Sequence, residues 1–175
     1  MTEHFGELFH RNGYVTAVMR REISDARPND IWEKLSLESE RVKWLAPGTI
    51  DMTASGRANL DFKDSYVIVG SEVTSCSAPN LFEFSWSGVN DPLRPIRFEI
   101  EQDRESCIIT LSVSIPEDEV VARSCAGWEA LLTMLQAVIA RVSVHFPLDR
   151  FQQCREFFEN QLTALMMSEV PVLRL

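Results

Sequence analysis

Between Met52 and Val113 the apolar residues alternate with polar ones over and over, in short runs separated by polar turns, and this restricts the folds open to the chain. Ala54, Gly56, Ala58, Leu60 and Phe62 share one face against Ser55, Arg57, Asn59 and Asp61. Further runs follow from Tyr66 to Val73 and from Leu81 to Trp86, where Phe82, Phe84 and Trp86 align. Ile96, Phe98 and Ile100 face away from Arg97 and Glu99, and Cys107, Ile109, Leu111 and Val113 complete the last run. Period two is the signature of a strand with one buried face. Lys63-Asp64-Ser65, Ser77 to Asn80 and Asp103-Arg104-Glu105 mark the turns. Connections this short join antiparallel neighbours, because a parallel pair needs a crossover of a dozen residues or more. The sequence therefore predicts an antiparallel meander, preceded by a strand over Tyr14–Ile23.

A sheet with one apolar face needs a cover, and Glu117 to Val144 supplies it. Val121, Cys125, Trp128, Leu132, Leu135, Ile139 and Val142 recur at spacings of three and four, with Val120, Leu131 and Val138 widening the stripe. This is the period of one long helix. Pro116 precedes Glu117, Asp118 and Glu119, an arrangement that suits the unpaired amides of a helix start. Gly127 beside Trp128 implies either close approach of the backbone to a strand or room for a ring. A shorter helix, capped by Asn29 or Asp30, is expected through Glu38, and a further turn with Val42, Trp44 and Leu45 ends at Pro47-Gly48. After Pro147, a second helical stripe of Phe151, Cys154, Phe158, Leu162 and Leu165 can pack on the body, swap into a neighbour or form a homodimer contact. The expected layout is an N-terminal arm over 1–13, fastened by Phe5, Leu8 and Phe9, one domain over 14–146, and an additional helix and short tail over 147–175.

Composition narrows the function classes. A chain of 175 residues can bury roughly 70% of its extended surface, so one core needs no metal or disulfide staple. Seventeen basic and 26 acidic side chains leave a net charge of -9, which disfavours nucleic acid as a partner. Cys76, Cys107, Cys125 and Cys154 form no CxxC pair, and with His4, His10 and His145 they offer no zinc-ligand spacing. Free thiols in a reducing compartment, no cofactor and no metal are the expectation. No apolar stretch of 18 residues predicts a membrane span, and the N-terminal residues lack a signal-peptide pattern, so a cytoplasmic location is expected.

Several landmarks together resemble a known family. Val18 to Ile23, then Ala26-Arg27-Pro28-Asn29-Asp30-Ile31-Trp32 to Leu35, then Trp44, are similar to the opening of the family related to the C-terminal domain of the activator of the Hsp90 ATPase. That family lies within the START-like helix-grip (SRPBCC) superfamily. Ala78-Pro79-Asn80-Leu81 through Trp86 resembles its strand lead-in, Cys107 to Val113 its last strand, and Gly127-Trp128-Glu129 with Leu131 and Leu135 the start of its gripping helix. The likeness runs from Val15 to Val142 in the family's order, and Arg150 to Leu175 extend past its usual end. It implies an α+β helix-grip fold, a curved antiparallel sheet wrapped around a long C-terminal helix.

That fold commonly leaves a cavity between sheet and helix, with Met19, Phe62, Tyr66, Phe82, Phe84, Trp86, Phe98, Trp128 and Leu132 as the candidate lining. The reading is a binding protein for a hydrophobic or aromatic small molecule. The alternatives are a protein-interaction or co-chaperone-like module and a polyketide cyclase or aromatase-like enzyme. The acids and bases assemble into no catalytic set: Arg57 with Asp61 and Arg97 with Glu99 read as solvent-side pairs on strands, and no phosphate loop or nucleophile elbow is present.

Overall fold

A computed structural model describes residues 4–62, 67–143 and 145–169. Eight strands form one curved antiparallel sheet in the order β1-β2-β8-β7-β6-β5-β4-β3. The strands are β1 (Glu7–Arg11), β2 (Tyr14–Ser24), β3 (Gly48–Ile50), β4 (Arg57–Phe62), β5 (Val67–Ser77), β6 (Leu81–Ser85), β7 (Pro95–Asp103) and β8 (Ser106–Pro116). Helices α1 (Pro28–Ser36) and α2 (Glu38–Arg41) connect β2 to β3, and α3 (Val121–Ile139) and α4 (Leu148–Glu169) follow β8.

The period-two faces are the buried faces, except that the run expected from Met52 becomes strand only at Arg57 and leaves Ala54 exposed in a turn. Val15, Ala17 and Met19 of β2 lie inside with Cys107, Ile109, Leu111, Val113 and Ile115 of β8 and Ile96, Phe98 and Ile100 of β7. Pairing Ala17 with Val113 and Val113 with Ile96 puts these side chains in rows across the sheet. A slip of one residue would turn each row to solvent, so the apolar pattern holds the register. Arg97 reaches Glu99 at 2.9 Å and Glu83 at 3.4 Å on the outer face. The turn over residues 63–65 lies outside the described residues, as does Tyr66.

Several expectations need correction, among them Phe9, expected to fasten the arm, which is exposed. Part of the N-terminal arm is a strand: β1 pairs with β2 through the two-residue turn Asn12-Gly13, whose φ values of 54° and 78° are those of a type I′ hairpin. Gly13 takes the second position at no steric cost. The long helix begins at Val121, not near Glu117, because the three carboxylates stand in a turn ahead of it. Glu117 donates its backbone N–H to the Gly13 carbonyl and pairs its side chain with His10, while Glu119 pairs with Arg94. Val120 and Val142, expected on the buried stripe, are exposed. The same helix ends at Ile139, with Arg141 in the left-handed region at φ 58°. The N–H groups of Arg141 and Val142 return to the carbonyls of Val138 and Ala137, a Schellman closure with arginine in the usual glycine place. The cap of α1 is Arg27, not Asn29 or Asp30: Asp30 is the third helical residue and accepts the Arg27 backbone N–H at 3.0 Å. The helix stops at Ser36 rather than Glu38, with Leu37 exposed beyond it.

α3 is buried on the faces turned to the sheet and to α4, while the side carrying Arg123, Ser124, Gly127 and Leu131 is only partly covered. Trp128, Leu132 and Leu135 are buried, and so are Ala126, Glu129 and Ala130. Ala126 and Ala130 share a helical face with Glu129 and Thr133, both of which Arg150 of α4 contacts. Their small side chains allow α4 to approach closely. The stripe of α4 is folded back on the body: Cys154 and Phe158 are fully buried, and Phe151, Leu162 and Leu165 pack against the core. Gln161 donates to the Gly6 carbonyl at 3.1 Å, and Phe157 meets Phe5 edge to face, so α4 also covers β1.

Candidate functional site

A half-open cavity of about 830 Å³ lies between the pocket side of α3, the end of β8, the β5 edge and the loop from β6 to β7. Ordinary ligand pockets span about 300–1,000 Å³. Trp86 and Trp128 form its aromatic corner, with ring centroids 5.0 Å apart and planes at 85°. Leu131 and Met134 continue the α3 wall, Ile68 and Val69 come from β5, and Phe146 and Phe151 close the side nearest α4. Gly127 also faces this space, and a Cβ built on it would meet nothing within 4 Å. Of the two roles considered for this glycine, room for a ring is the one the geometry supports.

The nine candidate lining residues, seven taken from the strand runs and Trp128 and Leu132 from the long helix, divide sharply. Trp86 and Trp128 are at the cavity. Met19, Phe82, Phe84, Phe98 and Leu132 do not line it; they are packed in the core. Phe62 belongs to β4, but its side chain lies outside the described residues, as does all of Tyr66. The displaced aromatics form the support beneath the corner: Phe84 meets Trp86 edge to face at 6.2 Å, and Phe98 meets Trp128 at 6.4 Å. Trp44 extends the series to Phe98 at 6.0 Å, while its indole N–H donates to the Lys34 carbonyl. Alternation identifies the inward face of a strand, yet the centre of that face is where packing is complete. The lining residues missed lie mainly on α3 and the loops. Ser124, Gly127, Leu131 and Met134 recur at three and four around Trp128, and that spacing was the signal available in the sequence.

Polar groups sit at the cavity edge. Arg94 makes a bidentate pair with Glu119, both bonds at 2.7 Å, which holds the β6–β7 loop against the turn before α3 and raises the guanidinium's proton affinity. Asp91 accepts the Gly88 N–H at 3.0 Å and stands 3.8 Å from Arg94. The Ser85 and Ser87 hydroxyls are 2.7 Å apart, and the Ser85 oxygen accepts the Arg94 backbone N–H.

A second polar cluster lies on the opposite side of α3. Glu129 has no exposed side-chain surface and receives Arg21 from β2 and Arg150 from α4, the latter at 2.8 Å through Nη2. Arg150 also donates to Thr133 at 3.0 Å and lies over the Phe5 ring at 5.0 Å. Arg21, which breaks the apolar face of β2, is thereby explained. Among the described residues no group of three or more His, Cys, Asp and Glu side chains could hold a metal ion. All four cysteines are free, and burial pushes the Cys125 thiol up to about 12 and the Cys154 thiol still higher, so neither is a ready nucleophile.

No protein-family model matches the chain, and no curated protein matches it. Solved structures do. A conserved protein of unknown function from Enterococcus faecalis aligns over 91% of each chain with a TM-score of 0.75 and 20% identity. CalU16 from Micromonospora echinospora aligns over 85% of this chain and 89% of its own, with a TM-score of 0.71 and 15% identity. The chain has the helix-grip fold. The Aha1 dimer from Colwellia psychrerythraea shares it at a TM-score of 0.57 and 18% identity, over 71% of this chain and 95% of that one. At these identities the helix-grip likeness extends to architecture, and chemistry must be argued from the site. No described helix is long and apolar enough to cross a membrane.

Proposed function

We propose that this helix-grip domain binds one hydrophobic or aromatic small molecule in the cavity beside α3 and releases it unchanged. The observation that carries the reading is unfilled apolar space of about 830 Å³ against the Trp86–Trp128 corner, with Gly127 open to it. A flat ring placed there gains burial against two indoles already set at right angles, so little side-chain ordering remains to be done on binding. The Trp128 indole N–H makes no hydrogen bond to a described residue and is not among the enclosed polar atoms, so a ligand acceptor can replace water there.

The test uses Gly127 as a volume control. Gly127→Ala adds one methyl to open space in a helix interior, so it should stabilise the fold by about 1 kcal/mol in urea denaturation. Gly127→Phe should fill the cavity. Hits from a small-molecule screen by native mass spectrometry and tryptophan fluorescence are expected to bind the parent chain and to lose at least tenfold in affinity in Gly127→Phe. Binding that ignores this substitution would refute the cavity reading. Incubation must also return each bound compound with its mass and isomeric form intact; conversion abolished by the same substitution would instead support the cyclase-like alternative.

The interaction-module reading has its own observation. Ile68 and Phe146 line the cavity yet are 69% and 46% exposed, and Val89 and Leu93 stand exposed on the β6–β7 loop. Apolar groups around a cavity mouth suit a protein partner as well as a ligand. A partner held there would lose affinity on Phe146→Ser and Val89→Ser but tolerate Gly127→Phe.

A further inference from the structure

The α3 wall of the cavity presents hydrogen-bond donors that nothing in the described chain uses. Arg123 is exposed at the rim, and no ion pair or hydrogen bond engages its guanidinium among the described residues. Ser124, next to it and half-buried, has a hydroxyl without a partner there, and the Trp128 N–H is in the same position. Ser124 and Trp128 are four residues apart, so they stand on one face of the helix with Arg123 at its edge. The other charged groups on the lining are already compensated: Arg94 by Glu119, and Asp91 by the Gly88 N–H and Arg94. The first turn of α3 carries no acidic residue, and Val120 offers no side-chain cap. Arg123 is therefore the one charge on the α3 wall that no described residue matches, with Glu117 and Glu119 in the preceding turn already taken by His10 and Arg94 and Asp118 exposed beside them.

We infer that the cavity selects an aromatic molecule bearing a single negative charge, whose rings lie against Trp86 and Trp128 and whose anionic group is held by Arg123 with the Ser124 hydroxyl. This rests on the ligand-binding reading above and adds the chemical class of the ligand. A carboxylate, sulfonate or phenolate supplies acceptors to donors that otherwise meet only water. An uncharged ring of the same shape fills the same space but leaves Arg123 unpaired.

Two probes with one ring system separate the charge from the space: anilinonaphthalene sulfonate and its uncharged counterpart N-phenylnaphthylamine. Each is titrated by fluorescence and calorimetry into the full chain, Arg123→Gln, Arg123→Lys and Gly127→Phe, with far-UV circular dichroism and melting curves to establish that each variant is folded. The sulfonate probe should bind once per chain, about fivefold more tightly than the neutral one, the ratio expected of a rim ion pair. Arg123→Gln should abolish that preference without altering neutral-probe affinity, and Arg123→Lys should retain part of it. Equal affinity for both probes in the parent, with both lost in Gly127→Phe, would overturn charge selection and leave the cavity reading standing. Failure of both probes to bind, or binding indifferent to Gly127→Phe, would overturn the cavity reading itself. Should Gly127→Phe not fold, Gly127→Leu replaces it with the same expected direction.

Discussion

Two guanidinium groups converge on the Glu129 carboxylate, and because that carboxylate is fully enclosed, removing it leaves two cations facing each other in a partly buried site. Losing one partner from a buried pair costs more than the pair contributes in total, since the remaining charge is neither solvated nor matched. Glu129→Gln is therefore expected to destabilise the protein by about 3 kcal/mol in urea titrations. Arg150→Met should have a smaller effect, because Arg21 still satisfies Glu129 and the replacement keeps contact with Phe5. Equal losses from the two changes would contradict this ranking. The neighbouring Trp128 points the other way, toward the cavity, so adjacent positions on α3 serve two different ends: one anchors α4 and the other meets a ligand.

At the scale of elements, α4 is the piece whose role the sequence left open among three choices. Phe158 and Cys154 are fully buried against the same chain, which selects packing on the body. Phe158→Ala should cost about 3–5 kcal/mol by chemical denaturation. A loss below about 1 kcal/mol would mean that α4 is only loosely attached. The strands were legible because half-buried antiparallel strands write their burial directly into alternation: Ile96, Phe98 and Ile100 are inside, and Arg97 and Glu99 pair outside. The hairpin of β1 was also written, in Asn12-Gly13, but Glu7–Arg11 carries only Leu8 and Phe9 as large apolar residues and so lacked a clear strand period. The helix start misled for an electrostatic reason. Carboxylates at 117 and 119 suit a helix N-terminus in general, yet here His10 and Arg94 claim them, and those partners come from distant parts of the chain. The cavity was half legible: both tryptophans were identified, whereas the groups along Ser124, Gly127 and Leu131 follow from where α3 is left uncovered, a property of packing that no local pattern encodes.

Across the whole molecule, stability should be graded along the sheet. β8 is paired with β2 and β7 along nearly its full length, while β3 is a three-residue edge whose only strand partner is β4, with Arg41 donating to the Gly48 carbonyl at 2.7 Å. Hydrogen exchange followed by mass spectrometry should find the β8 amides exchanging only through global unfolding and those of β3 through local opening. Comparable rates for the two strands would refute this gradient. The opposite edge is protected by α4, whose Gln161 reaches Gly6 across 155 residues of sequence. That closure has a consequence for biosynthesis. The first strand leaves the ribosome with its hairpin partner close behind, but the helix that shields its edge is translated roughly 8 to 30 s later at about 5–20 residues per second. Throughout that interval the nascent chain carries an uncovered edge and an exposed Phe5, so it is during translation, rather than after release, that a holdase would have most to bind.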